Sequence, residues 1–279
     1  MTAPALQDWI GRRETRTERV DLRPAAMLAA LLNKPESPRK GAPLPPLWHW
    51  ALFTPEARQS DLGEDGHPRL GGFMPPIPLP RRMWAGSRIT WHDTLRLGDE
   101  AQRTTEITAI EEKPGSQGAL VFLTLTHKIT TARGLALREE QDLVYRAPAS
   151  AAPPPPAPAE PPLADWRDPL TPDARLLFRY SAATFNTHRI HYDLPYARDA
   201  EGYPALVVHG PLTATLLVDR LLARTAKPLR TFTFRGRAPL YCDRPLALCG
   251  RQDHTGQFAL WAESETGHPA MTATAEIEA

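Results

Sequence analysis

Cysteine, lysine and net charge are all scarce in this chain of 279 residues. Two cysteines, Cys242 and Cys249, are too few for a disulfide scaffold, and their C-x6-C separation is not the spacing of a metal knuckle. They read as reduced thiols of a cytoplasmic protein. Thirty-three basic side chains face 32 acidic ones, so no overall field draws the chain to DNA, RNA or an anionic membrane. The basic residues are arginines with five lysines, a bias that suits GC-rich coding more than any substrate. No run of ~18 apolar residues is present to form a transmembrane helix. The N-terminus MTAPALQDWIGRRETRTERVDLR carries acids and lacks an apolar core, so it does not read as a signal peptide. Glycine-rich phosphate loops of the P-loop or Rossmann type are missing as well, which leaves nucleotide chemistry without its usual cradle.

What is present is the composition of a soluble globular protein, 42% hydrophobic and 23% charged. Proline is in excess, at 31 residues. Eight of these fall in residues 148–162, PASAAPPPPAPAEPP, a stretch with nothing to bury. Such a segment favours extended polyproline II and acts as a semi-rigid spacer, although it could also serve a proline-recognition module. It divides the chain into residues 1–147 and 163–279, two domains of similar size. Nine more prolines lie between Pro43 and Pro80, interleaved with Trp48, Trp50, Phe53, Phe73 and Met74. A linker would not carry such large apolar groups, so this segment reads as an ordered loop packed on a domain, able to line a pocket.

Each half shows the same order of elements. Residues 22–33, LRPAAMLAALLN, are predicted helical, entered at Asp21 and stopped before Pro35. Strand-like runs follow, RITWHDTLRLGD, QRTTEITAI, ALVFLTLTHKITT and LALREEQDLVYR, with turns at KPGSQG and RG. In the second half DARLLFRYSAAT precedes a polar loop, and a Gly-Pro pair opens the apolar helix LTATLLVDRLLART. Strands from LRTFTF to PAMTATAEIEA close the chain. Ile89-Thr90-Trp91 mirrors Phe232-Thr233-Phe234, which reads as a diverged internal duplication. The expectation is an α+β architecture, a helix followed by a long antiparallel sheet in each half.

Reactive side chains concentrate between Tyr180 and Leu217, in YSAATFNTHRIHYDLPYARDAEGYPALVVHGPLTATLL. His188, His191 and His209 are here, with Asn186, Arg189, Tyr192 and Asp193. A histidine on a loop ahead of a helix N-terminus suits acid/base work, because the first N–H groups of a helix have no partner inside it and can face developing negative charge. Gly210 lets a ligand approach that backbone, and Pro211 fits the first turn. His191 could equally be an ordinary surface histidine, and His188-x-x-His191-x-Asp193 could hold zinc. His209 reads as a structural residue of the helix start, and Tyr180 and Tyr192 as packing residues.

The run FNTHRIHYD, followed by VVHGPLTATLL, resembles the signature of the MaoC-like, R-hydratase branch of hot-dog proteins. PPLWHWALF, LGEDGHP and GGFMPPIPLPRRMWAG in the first half resemble a sub-branch with two fused hot-dog domains. That sub-branch includes itaconyl-CoA and mesaconyl-CoA hydratases and mitochondrial 3-hydroxyacyl-thioester dehydratases. The resemblance implies a double hot-dog fold with a non-catalytic N-terminal domain and a catalytic C-terminal one.

By the same resemblance His191 takes the place of the catalytic histidine, and Asn186 stands where the wider family has an aspartate. An amide cannot accept a proton, so the implied division has His191 moving protons and Asn186 positioning water through its oxygen or its amide. The Gly210 N–H becomes the oxyanion donor. Weaker substrate-binding candidates are Arg189, for a distal carboxylate, with His188 and His209. Arg82 and Trp84 are candidates for the phosphates or adenine of CoA, or simply a structural corner before a strand starting at Arg88. The implied activity is a hydratase acting on itaconyl-CoA or mesaconyl-CoA to give citramalyl-CoA. It needs no metal or other cofactor and binds an acyl-CoA as a monomer or a homodimer. The rivals are a 3-hydroxyacyl-thioester dehydratase of fatty-acid metabolism, an acyl-CoA thioesterase and a non-catalytic acyl-CoA-binding protein.

Overall fold

A computed structural model describes residues 5–115, 118–147 and 163–278. The spacer at 148–162 and the middle of the KPGSQG turn lie outside the described residues. Ten strands form one antiparallel sheet. In the first half they are β1 (Arg13–Arg19), β2 (Arg81–Trp91), β3 (Glu100–Gly115), β4 (Gly118–Thr131) and β5 (Gly134–Arg146). In the second half they are β6 (Trp166–Leu170), β7 (Leu229–Gly236), β8 (Leu246–Gln252), β9 (Phe258–Glu263) and β10 (Pro269–Ile277). The order across the sheet is β1-β3-β4-β5-β2-β7-β10-β9-β8-β6, so the second half repeats the first in mirror order about the β2–β7 seam. The two segments matched in sequence are the two that meet there, with Ile89 opposite Phe232 and Ser87 opposite Phe234. Gly86 sits where β2 shifts register against β5. A Cβ at Gly86 would lie 2.3 Å from the Phe234 carbonyl oxygen, so only glycine allows the seam to close.

Helix α1 (Leu22–Leu31) follows β1, with the Asp21 carboxylate accepting from the Arg23 N–H at its start. Helix α2 (Ala174–Thr184) follows β6 and is capped the same way, Asp173 accepting from the Leu176 N–H. After α2 come the short α3 (Leu194–Asp199) and the apolar α4 (Gly210–Leu222). Every residue from Pro211 to Val218 in α4 is buried, as the central helix of a hot dog must be when a sheet wraps it. Among the described residues the first half has no buried helix like α4 between α1 and β2, where two 3-10 turns, Trp48–Ala51 and Gln59–Asp61, are found. The fold is a double hot dog, with α4 as the buried central helix of the second half.

Two strands escape sequence patterning. β1 (RETRTER) alternates exposed and partly buried polar residues, and β6 (WRDPL) is five residues long. Both are edge strands, where charge guards an open edge in place of a hydrophobic stripe. A correction also applies to Arg82 and Trp84. They do not form a corner before a strand at Arg88, because β2 already runs from Arg81, with Arg82 opposite Tyr145 and Trp84 opposite Leu143.

Candidate active site

Helix α2 ends at Phe185, a non-glycine residue in the left-handed region (φ 48°). Such a residue costs of order 1–2 kcal/mol, and here it swings the chain out of the helix and into the loop that carries the reactive side chains. Asn186 folds back on that loop, its Oδ1 accepting from the His188 N–H at 3.0 Å. The oxygen is therefore engaged, and the Nδ2 amide is the group Asn186 can offer to the cavity it lines. The 3-10 turn Arg189–His191 follows and places the His191 ring inward.

His191 is fixed from one side. Its Nδ1 donates to the Val207 carbonyl at 2.7 Å, while the Val207 N–H donates to the Ile190 carbonyl at 3.0 Å. That bond assigns the proton to Nδ1 and leaves Nε2 with its lone pair available to the cavity. Burial pushes the ring's pKa down to about 4, in spite of the bond to Val207, so it is a neutral base at physiological pH. Behind it lies His209, wholly buried, its Nε2 2.8 Å from the Ser181 hydroxyl. Burial holds His209 well below the usual histidine range. It does not line the cavity, which agrees with a structural role.

Gly210 opens α4 and lines the same cavity, and its N–H makes no backbone hydrogen bond among the described residues. An added Cβ would meet nothing nearer than Met271 Cε and the Trp84 carbonyl oxygen, both at 3.9 Å. Nothing in the protein requires glycine there, and the space beside the amide is open. A lone-pair nitrogen, an amide that can hold water and a free helix-terminal N–H thus face one cavity of about 1090 Å³. They form the set needed to add water across a double bond conjugated to a thioester carbonyl.

The other half builds the opposite wall, which no residue pattern in it announces. Residues 64–67 of the LGEDGHP motif reach across to the reactive loop. The Arg189 N–H donates to the Asp65 carbonyl at 2.9 Å, and the Thr187 hydroxyl donates to the Gly66 carbonyl. Gly66 has φ +90°, and a Cβ on it would lie 1.9 Å from the Thr187 oxygen. His67 is thereby set edge-on to His188, with ring centroids 4.3 Å apart, and His188 edge-on to His191 at 5.4 Å. Burial takes His188 down to about 2, with the charges of His191 and Arg82 adding to the effect.

Further along the cavity a polar network centres on Glu139. Its carboxylate accepts from Trp50 Nε1 at 3.1 Å and the Ser87 hydroxyl at 2.7 Å, and meets His49 Nε2 at 3.1 Å. Burial alone would raise the Glu139 pKa, but His49 and Ser87 outweigh it and bring the group down to about 2. His49 and Trp50 are therefore ligands of a buried carboxylate as well as core. No sequence motif singled out Glu139, which sits in an ordinary strand, and the contacts that define it come from two distant segments, that of His49 and Trp50 and that of Ser87.

Two expectations change. Arg189 does not line the cavity; its Nε and Nη2 donate to Asp193 at 2.9 and 2.8 Å, and its Nη1 to the Glu64 carbonyl at 3.0 Å. It latches the two loops together and is spent on that task. The zinc pattern His188-x-x-His191-x-Asp193 is not assembled either, because Asp193 caps α3 and pairs with Arg189. A different trio, Asp65, His67 and His188, brings its ligand atoms within 4.8 Å of one another and is the set among the described residues that could hold a metal. Arg82 and Trp84 line the cavity.

The chain has relatives among known proteins. The family model for hydroxyacyl-thioester dehydratase type 2 matches residues 47–242, across both halves. A mesaconyl-C(4)-CoA hydratase of Chloroflexus aurantiacus is 47% identical over 271 residues, covering 96% of each chain. Among solved structures, a MaoC-like dehydratase superposes with a TM-score of 0.74 at 15% identity, over 98% of this chain and 99% of that one. A Mycobacterium tuberculosis protein described as having a double hot-dog fold gives a TM-score of 0.56 at 15% identity, covering 98% of both. These last two likenesses speak for the fold alone. Together with the family match they identify the chain as a hydro-lyase of the hydroxyacyl-thioester dehydratase type 2 family, built as a MaoC-like double hot dog.

Proposed function

We propose that the protein hydrates a short branched dicarboxylyl-CoA, mesaconyl-C(4)-CoA in the first place, to citramalyl-CoA. The observation that carries this reading is His191, with Nδ1 tied to the Val207 carbonyl and Nε2 free, in the same cavity as the unpaired Gly210 N–H. The 47% identity to a mesaconyl-C(4)-CoA hydratase supports the choice of acyl group. Itaconyl-CoA is the second acyl candidate, and its double bond must first come into conjugation.

In the proposed reaction Asn186 Nδ2 donates to the oxygen of a water, and His191 Nε2 takes a proton from it as the oxygen attacks the β-carbon. The electron pair of the C=C bond moves toward the thioester, and the growing charge on its oxygen meets the Gly210 N–H. The enolate collapses when Cα takes a proton, which His191 can return. One water is added and no redox change occurs, so the residues present suffice without a cofactor. Oxyanion donors of this kind are typically worth ~10²–10³ in rate, and a positioned base ~10²–10⁴.

A second reading is favoured by one observation. The cavity continues past the reacting groups to Leu52, Phe53, Leu125 and Ile129, enough apolar wall for a longer acyl chain. That suits a 3-hydroxyacyl-thioester dehydratase of fatty-acid metabolism. Purified protein given mesaconyl-C(4)-CoA, crotonyl-CoA and a C8 enoyl-CoA separates the two. Preference for the dicarboxylyl substrate supports the first reading, whereas turnover of only the unbranched chains sinks it. Release of free CoA thiol, read with a thiol dye, would instead mark a thioesterase.

A further inference from the structure

The substrate proposed above sets a geometric demand. In a thioester at C4 of mesaconate the free carboxylate hangs on the β-carbon, the atom that water attacks. A cation that recognises it must stand beside Asn186 and His191, away from the far end of the cavity. Arg189 is committed to Asp193 and lies outside the cavity wall. Arg103 lines the wall but belongs to the Glu139 end, among the charges of Glu14, Glu139 and Glu18 and over the Phe53 ring at 5.1 Å.

Arg82 meets the demand. It is two residues from Trp84 on β2, and the Trp84 carbonyl oxygen lies 3.9 Å from where a Cβ of Gly210 would be. On the loop side its charge reaches His188 and Asp65. The residue is thus bracketed between the oxyanion amide and the reactive loop. Its neighbour Arg81 is satisfied by Glu201 at 3.1 Å and the Ala200 carbonyl. Among the described residues Arg82 makes no ion pair within 4.0 Å, and its charge is felt by the Tyr145 hydroxyl and the Asp65 carboxylate. A guanidinium held in a partly enclosed cavity without an anion is costly unless a ligand supplies one, and its planar fork matches a carboxylate. Two further donors stand nearby. His67 lines the cavity against His188, with Asp65 Oδ2 3.9 Å from its Nδ1. The buried Tyr145 hydroxyl, on the residue directly across the strand from Arg82, stands beside that guanidinium.

We infer that Arg82, flanked by His67, is the receptor for the free carboxylate on the substrate's β-carbon and so sets the preference for dicarboxylyl thioesters. This inference rests on the dicarboxylyl reading of the site. Asp65 is the opposing acid, and its backbone and its bond to the His67 N–H keep it in the loop behind His67.

The test compares wild type, Arg82→Gln, Arg82→Lys and His67→Asn on mesaconyl-C(4)-CoA and on crotonyl-CoA, whose β-carbon carries a methyl group but no carboxylate. The readout is the ratio of the two kcat/KM values, which a general loss of folding does not move. R82Q should lower the ratio about 100-fold, chiefly through KM for the dicarboxylyl substrate, the scale of a lost charge-assisted pair. R82K should fall between R82Q and wild type, and H67N should lower the ratio about tenfold. An unchanged ratio in R82Q, whether both activities fall or neither does, overturns the inference and leaves the dicarboxylyl reading standing. A wild type that turns over crotonyl-CoA and not mesaconyl-C(4)-CoA overturns both.

Discussion

His191 lies almost flat on His209, with ring centroids 3.7 Å apart and planes 20° from parallel. Two imidazoles stacked so closely cannot both carry charge, and burial keeps each neutral. The base is thereby available well below neutral pH. Because it works unprotonated, kcat/KM should be level through neutral pH and fall as pH drops through about 4. The same shift bears on stability. The folded value lies below the ordinary 6.5, so the unfolded chain binds the extra proton first, and stability present above pH 6.5 is lost as pH falls toward 4. Thermal scans from pH 7 to 5 should show a falling Tm, and His191→Gln should flatten that slope and lower hydration at least 10³-fold. A wild-type rate that climbs as pH falls from 7 to 5 would contradict this role.

Asn186 engages the loop through Oδ1 and the cavity through Nδ2. Asn186→Asp keeps the acceptor for the His188 N–H but loses the donor and adds charge beside an anionic substrate. We expect kcat/KM to drop about 10²-fold with the Tm little changed. A variant faster than wild type at every pH would mean that the second group here is a base after all.

Gly210→Ala separates stability from function. The added methyl would meet the protein only at 3.9 Å, and replacing glycine in a compatible conformation commonly adds about 0.4–1 kcal/mol of stability. The expected protein is at least as stable as wild type, with a raised KM for any thioester. Unaltered kinetics would show that the thioester does not pass beside this amide.

Gly66→Ala works the other way. Its Cβ would strike the Thr187 carbonyl, and its backbone would be held at φ +90°. A cost of about 1–3 kcal/mol is expected, together with loss of hydration, although Gly66 lies in the half without the base. Denaturant titration beside a rate assay checks both, and an active variant of normal stability would show that the latch does not shape the site.

Much of this arrangement was legible in the residues. The Asp-capped helix α1, the strands β3–β5, the apolar α4 and the loop from Asn186 to Gly210 all follow from spacing, caps and turn chemistry. The matched strands across the duplication are neighbours at the seam. What stayed hidden depended on tertiary contact. β1 and β6 lack a hydrophobic stripe because they are sheet edges. The segment PLPRRMWAGS looks like a proline-bounded corner, yet β2 starts within it at Arg81. Glu139, His67 and Arg82 gain their meaning from partners more than fifty residues away or across the cavity, which no local pattern encodes.

The latch at residues 64–67 makes the second half depend on the first. The half that carries His191 does not own its active centre outright, because Asp65 and Gly66 supply the carbonyls that hold Arg189 and Thr187. A second half severed from the first would therefore keep the His191 ring and lose the carbonyls that steady its loop.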